Sequence, residues 1–191
     1  RKGLKSKDFD FDDCTPRFVR EAVSVIAIHA KKAKEQPLFL YLALPSPHTP
    51  WLPIEVFRGK SGAGMYGDFV LQVDAAVGDV TAALERAGMK DDTLVFFSSD
   101  NGPEKSWKER IKKFDHDSSQ IYKGGKRDIY EGGHRVPFFV RWPGGIKQPG
   151  RSWNKPIGQI DLLATFAELL EVTLPENAGE DSQSFASVLT T

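Results

Sequence analysis

Apolar residues recur along this chain in two rhythms, three to four residues apart in some stretches and unbroken in others, and the alternation predicts an α/β domain. Thr15-Pro16 reads as an N-cap followed by proline at the first helical position, after which Phe18, Ala22, Val25, Ile26, His29 and Ala33 share one helical face. A helix is predicted from Pro16 to Glu35, stopped by Gln36-Pro37. The run Leu38–Leu44 has strand length and no polar member, the pattern of a strand buried on both faces. Pro45–Pro50 leaves it as a rigid loop. A second helix is predicted from Tyr66 to Ala87 through Phe69, Val70, Val73, Val77, Val80 and Leu84, with Gly88 as its stop. Thr93–Ser98 and Val136–Arg141 read as further strands, Pro137 arguing for a strand start or a bulge. Gln159–Leu170 reads as a last helix with Ile160, Leu163, Phe166, Ala167 and Leu170 on one face. Residues 1–12 are predicted as an opening loop, and 103–122 as a long polar surface loop.

Composition narrows the function. Among 191 residues, 26 Lys+Arg balance 26 Asp+Glu, so no nucleic-acid partner is expected from bulk charge. Hydrophobic residues at 40% and charged residues at 27% exclude a disordered chain and suit about one domain. The longest apolar run, Leu38–Leu44, falls far short of the roughly 20 residues of a membrane-crossing helix. A single cysteine, Cys14, permits no internal disulfide and no cysteine-built zinc site. The chain starts at Arg1 with no initiator Met and no apolar leader, so a fragment or a processed chain is expected. Oligomeric state is not readable.

Candidate chemistry gathers after the strands, because ligands of open parallel sheets bind beyond the strands' carboxyl ends. His48 follows the first strand; Asp100 and Asn101 follow the second. Adjacent Asp and Asn offer hard oxygens suited to Ca²⁺ or Mg²⁺, yet two are too few for an ion that takes about 6 to 8. Asp-Asn-Gly is equally a common turn, in which Gly102 lets the backbone swing away. Gly124–Gly133 frames Lys126 and Arg127 with glycines, but it is not a Walker loop, since Gln120 and Arg127 stand where Gly and Ser or Thr are required. Taken singly, Lys126 reads as a solvated charge. His29 reads as a packed helix residue and His134 as part of a turn. Trp107 and His116, in the polar loop, are candidates for touching substrate or are simply solvated. Cys14-Thr-Pro-Arg17 reads as a helix start rather than a nucleophile, and no Gly-x-Ser-x-Gly elbow occurs.

Jointly the loops say more. Pro45-Ser-Pro-His-Thr-Pro50, Ser99-Asp-Asn-Gly-Pro-Glu104, Gly125-Lys-Arg-Asp-Ile-Tyr-Glu-Gly-Gly-His-Arg-Val-Pro137 and Arg141-Trp-Pro-Gly144 closely resemble the type I sulfatases, arylsulfatase-like members of the alkaline-phosphatase superfamily, over about Asp13 to Val188. The resemblance implies part of an alkaline-phosphatase-like α/β sandwich, with a largely parallel sheet flanked by helices, and places 1–191 as the central-to-late portion of one catalytic domain. It implies that Asp100 and Asn101 complete a Ca²⁺ site, that Lys126 contacts the sulfate, and that His48 hydrogen-bonds the ester or its leaving oxygen. Such chemistry is plausible in kind, because sulfuryl transfer builds negative charge that a cation, an imidazolium and a divalent metal stabilise.

The family's nucleophile, a formylglycine made within Cys-x-Pro-x-Arg, does not occur in these 191 residues, Cys14-Thr-Pro-Arg17 being one residue short. It is expected upstream. The fragment alone is therefore expected to bind Ca²⁺ weakly and hydrolyse nothing. The implied substrate is a sulfated small molecule or glycan, in a periplasmic, secreted or lysosome-like compartment. A phosphatase or phosphodiesterase of the superfamily, and a non-catalytic glycan-binding relative, are the alternatives.

Overall fold

A computed structural model describes residues 6–33 and 35–190; residues 1–5 of the predicted opening loop lie outside them. The chain divides into two compact units, Arg1–Lys90 with Phe97–Phe139, and Asp91–Phe96 with Val140–Thr191.

In the first unit, α1 (Cys14–Lys32) packs against α2 (Gly64–Arg86). The α1 core face is Thr15, Val19, Ala22 and Ile26, so Phe18 and Val25, expected inside, are 42% and 39% exposed. Ile26, at 1% exposed, contributes roughly 2 kcal/mol of transfer free energy. The helix begins two residues earlier than predicted. Asp13 takes the N-cap position, and Thr15, instead of capping, is 2% exposed and shares a 2.8 Å hydrogen bond with the Ser46 hydroxyl. That bond ties the start of α1 to the Pro45–Pro50 loop.

α2 matches its predicted span to within two residues and buries Phe69, Val73, Ala76, Ala83 and Leu84, while Val70, expected on the same face, is 38% exposed. It also buries a carboxylate. Asp68 is 2% exposed and accepts the backbone N–H groups of Gly59 (2.8 Å), Lys60 (3.1 Å) and Ser61 (2.9 Å) and the Ser61 hydroxyl (2.8 Å). Burial alone would raise the Asp68 pKa, but those four donors outweigh it and hold the carboxyl below its ordinary value.

The predicted strand at 38–44 is not assigned as one among the described residues, and Phe39 and Tyr41 stand 77% and 81% exposed. A strand buries its faces and satisfies its backbone only when another pairs with it. Thr93–Ser98 and Val136–Arg141 shorten to β1 (Val95–Ser98) and β2 (Phe138–Arg141), which form a two-stranded sheet, with Pro137 just before β2. Where a largely parallel sheet was expected, these two run antiparallel: Ser98 reaches the Pro137 carbonyl, Phe97 meets Phe139, and Asp91 meets Gly144. Their connection needs no crossover in that sense.

The predicted 103–122 loop contains α3 (Trp107–Phe114), whose residue Arg110 is 4% exposed. After α4 (Glu131–His134) and β2, the second unit carries a 3₁₀ turn at Gln159–Asp161, α5 (Leu162–Leu169) and α6 (Ala186–Thr190). Phe96 meets Phe166 and Phe185 edge to face in its core. Thr165, fully buried, donates to the Asp161 carbonyl and accepts the Phe185 N–H. Ile160, Leu163 and Leu170, expected on the buried face, are 58%, 46% and 67% exposed. No helix among the described residues is long and apolar enough to cross a membrane.

Candidate functional site

The turn after β1 and the glycine-framed loop before β2 are stitched together through their backbones. The Gly102 N–H donates to the Gly133 carbonyl (3.0 Å), and the Lys126 N–H donates to the Pro103 carbonyl (2.8 Å). Glycine makes this approach possible. A Cβ at Gly102 would stand 1.8 Å from the Gly132 carbonyl oxygen, and one at Gly125 would stand 2.6 Å from that of Pro103. Gly102 therefore serves close approach rather than the sharp turn expected of it. Inside the loop, the Asp128 carboxylate accepts the Gly125 N–H (3.1 Å), and a Cβ at Gly132 or Gly133 would strike backbone oxygens at 2.3 Å and 2.5 Å. Lys126, half-buried, is thus fixed at its backbone to the segment that carries Asp100 and Asn101.

A second tie is electrostatic. Arg127 takes a left-handed conformation (φ +73°), costly for a residue with a Cβ, and its guanidinium pairs with the Glu104 carboxylate. The Arg127 hydrogen bond, then the Lys105 N–H, hold the Glu104 carboxyl below its ordinary value, with a smaller pull from the charge of Lys126. The Arg127–Glu104 pair thus joins the glycine-framed loop to the segment after β1 a second time.

Asp100 is exposed and engaged by no hydrogen bond or ion pair among the described residues. The Asn101 amide N–H donates to the Gly102 carbonyl (2.9 Å), while its side-chain oxygen accepts no hydrogen bond among the described residues. Two adjacent, uncommitted hard oxygens fit a divalent cation such as Ca²⁺, though only as part of its shell. No group of three or more His, Cys, Asp or Glu among the described residues forms a complete metal site.

His48 is exposed, and its Nδ1 lies 2.8 Å from the Thr49 carbonyl oxygen. A carbonyl can only accept, so this hydrogen bond requires the proton on Nδ1 and leaves Nε2 as the uncommitted ring nitrogen among the described residues. No hydrogen bond joins His48 to Asp100, Asn101 or Lys126. Trp107 lies against the Lys126 loop: a Cβ at Gly125 would be 2.8 Å from its indole nitrogen. His116 is exposed beyond α3 and contacts none of these residues through a hydrogen bond or ion pair. Cys14 is half-buried at the α1 start, its thiol donating to the Asp10 carbonyl (3.4 Å).

Sequence reasoning missed the Glu104–Arg127 pair and the Thr15–Ser46 bond. Glycines at 102, 125, 132 and 133 were the available signal of close backbone approach.

A model of the sulfatase family matches residues 12–172. The chain is 38% identical over 191 residues to a Bacteroides thetaiotaomicron N-acetylgalactosamine-6-O-sulfatase, covering 98% of this chain and 36% of that protein. It is 34% identical over 179 residues to human steryl-sulfatase, covering 94% and 30%. Among solved structures, a B. thetaiotaomicron protein described with the metabolism of multiple glycosaminoglycans superposes with TM-score 0.83 at 35% identity, over 95% of this chain and 38% of that one. Ps i-CgsB in complex with k-i-k-neocarrahexaose superposes with TM-score 0.74 at 30% identity, over 95% and 39%. These likenesses place the described residues in the alkaline-phosphatase-like α/β fold. The chain spans about a third of the length of the curated relatives it matches.

Proposed function

Given that the chain belongs to the sulfatase family, we propose that it carries the sulfate-binding and metal-binding part of a site that hydrolyses the sulfate ester of a sugar. The observation that carries this reading is the stitching of the Lys126 loop onto the Asp100-Asn101 segment by the Gly102–Gly133 and Lys126–Pro103 hydrogen bonds.

As the ester bond to sulfur breaks, negative charge grows on the leaving oxygen and persists on the sulfate oxygens. The Lys126 ammonium meets that charge from a backbone that need not reorganise, which is where such donors are most effective. His48, through Nε2 while Nδ1 stays anchored on Thr49, is the hydrogen-bonding partner of the leaving oxygen. Asp100 and Asn101 would hold Ca²⁺, which supplies positive charge beside the sulfate. The nucleophile is none of these side chains, and the formylglycine chemistry of the family belongs to residues outside this sequence.

The substrate class is a sulfated sugar, supported by the 38% identity to an N-acetylgalactosamine-6-O-sulfatase and by the carrageenan-type oligosaccharide on a structural neighbour.

The test is sulfate release by the intact protein from 6-O-sulfated N-acetylgalactosamine, set against phosphate release from the 6-phosphate. Sulfate release is expected to dominate, to stop on chelation and to return with Ca²⁺. Faster phosphate release, or no sulfate release, would overturn the reading.

A further inference from the structure

A cavity of about 270 Å³ in the first unit is lined by Trp51, Gly64, Met65, Tyr66, Lys113 and Phe114, with Arg110 at its wall. Its volume sits near the lower bound of ligand pockets, about 300 Å³, which is room for one sugar ring and not for a chain. Trp51 and Tyr66 stand edge to face at 5.8 Å, and with Arg110 seated on the Tyr66 ring the half-buried Trp51 is the aromatic surface left to a ligand. Aromatic faces of this kind take the C–H side of a pyranose.

The charge around the cavity is one-sided. Arg110, 4% exposed, stacks 3.8 Å from the Tyr66 ring centroid and 5.7 Å from that of Trp51, and its nitrogens donate only to the Ser106 and Ser118 hydroxyls. None of the ion pairs among the described residues involves it. A buried guanidinium without a carboxylate leaves positive potential uncancelled. Lys108, Lys112 and Lys113 add to it on the same helix, against Glu109 alone.

Position links the cavity to the proposed site. α3 carries Trp107 against the Lys126 loop at one end and Lys113 at the cavity at the other, about 9 Å of helix apart. Trp51 follows His48 by three residues, at most about 11 Å along the chain.

We propose that this cavity is a subsite for a second, anionic sugar, the neighbour of the residue whose sulfate is cleaved. The sugar ring stacks on Trp51, and its carboxylate or sulfate meets Lys113. This rests on the function proposed above.

The experiment uses the intact protein with 6-O-sulfated N-acetylgalactosamine, its disaccharide with a uronic acid, and its disaccharide with an uncharged hexose, each followed by calorimetric binding and by sulfate release. The wild type should bind the uronate disaccharide at least tenfold tighter than the monosaccharide. Lys113→Ala should lower that ratio at least fivefold and abolish the preference for uronate over hexose. Trp51→Ala should weaken both disaccharides. If Trp51→Ala does not fold, the exposed Lys113 variant decides alone. An unchanged ratio in Lys113→Ala, or a wild type that binds all three sugars equally, would overturn the subsite. Binding of the uronate disaccharide that depends on Lys113, without sulfate release from any sugar, would support the subsite and overturn the function.

Discussion

Replacing Gly102 by alanine is the most direct perturbation of the contact between the Asp100-Asn101 segment and the Lys126 loop. The new Cβ would stand 1.8 Å from the Gly132 carbonyl oxygen and 2.8 Å from the Gly132 carbonyl carbon, both backbone atoms that no rotamer can withdraw. Reaching an ordinary contact of 3.4 Å means separating the two segments by about 1.6 Å. That movement breaks the 3.0 Å Gly102–Gly133 hydrogen bond and loosens the 2.8 Å Lys126–Pro103 bond. Overpacking costs about 1–3 kcal/mol and the lost hydrogen bond about 1 kcal/mol, so the variant should lose about 2–4 kcal/mol of stability. Misplacing a charge-stabilising group by about 1 Å costs on the order of 100-fold in rate, so sulfate-ester kcat/KM should fall by about that factor. Gly78→Ala is the control: nothing lies within 4 Å of its Cβ in the middle of α2, and it should gain about 0.5–1 kcal/mol with kcat/KM unchanged. Denaturant unfolding and steady-state kinetics read both quantities. A Gly102→Ala protein within twofold of wild-type kcat/KM would refute the reasoning.

Other consequences are checked by similar means. Glu104→Gln frees Arg127 from its partner and should lower kcat/KM several-fold with little change in unfolding midpoint, because both side chains are largely exposed. Asp68→Ala strands three backbone donors and a hydroxyl and should cost about 2–4 kcal/mol at pH 7 by urea unfolding. Since the folded Asp68 carboxyl lies below the ordinary value of 3.8, its stabilisation is fully present above that pH and is lost as pH falls through the folded value. The gap between wild type and Asp68→Ala should accordingly narrow as pH is lowered below 3.8. Thr165→Val removes the hydroxyl that both donates to Asp161 and accepts from Phe185, and should cost about 2 kcal/mol in the second unit.

The helical rhythm of the sequence was legible because an amphipathic helix advertises its buried face locally. α2 was read to within two residues at its start and one at its end. The exact packed face was harder to see: Ala22 and Ile26 lie inside as the α1 period predicts, yet Phe18 and Val25 do not and Val19 does, because the partner helix and not the period selects the face. Thr15 looked like a cap, and a local rule could not foresee that its hydroxyl would meet Ser46, 31 residues away. Strand direction was the least readable feature. The apolar runs at Thr93–Ser98 and Val136–Arg141 have the composition of buried strands in either orientation, and only the succession of contacts Ser98–Pro137, Phe97–Phe139 and Asp91–Gly144 shows that they run antiparallel. α3 was hidden because its polar, charged residues gave no apolar stripe, while its one buried side chain is an arginine stacked on aromatics.

Of the candidate residues, Asp100, Asn101, Lys126 and Trp107 lie on segments that the structure brings together, while no hydrogen bond or ion pair joins His48 or His116 to them. What holds those segments, the Gly102–Gly132 approach and the Arg127–Glu104 pair, joins residues 23 to 30 positions apart and left only scattered glycines and acidic residues as a trace.

The central claim is that Lys126, held against the Asp100-Asn101 segment, meets the charge of a sulfate ester. Its most direct measurement is kcat/KM of the intact protein toward 6-O-sulfated N-acetylgalactosamine for wild type and Lys126→Ala. Loss of one preorganised donor predicts a fall of about 100- to 1,000-fold. Equal kcat/KM in the two proteins would contradict the claim.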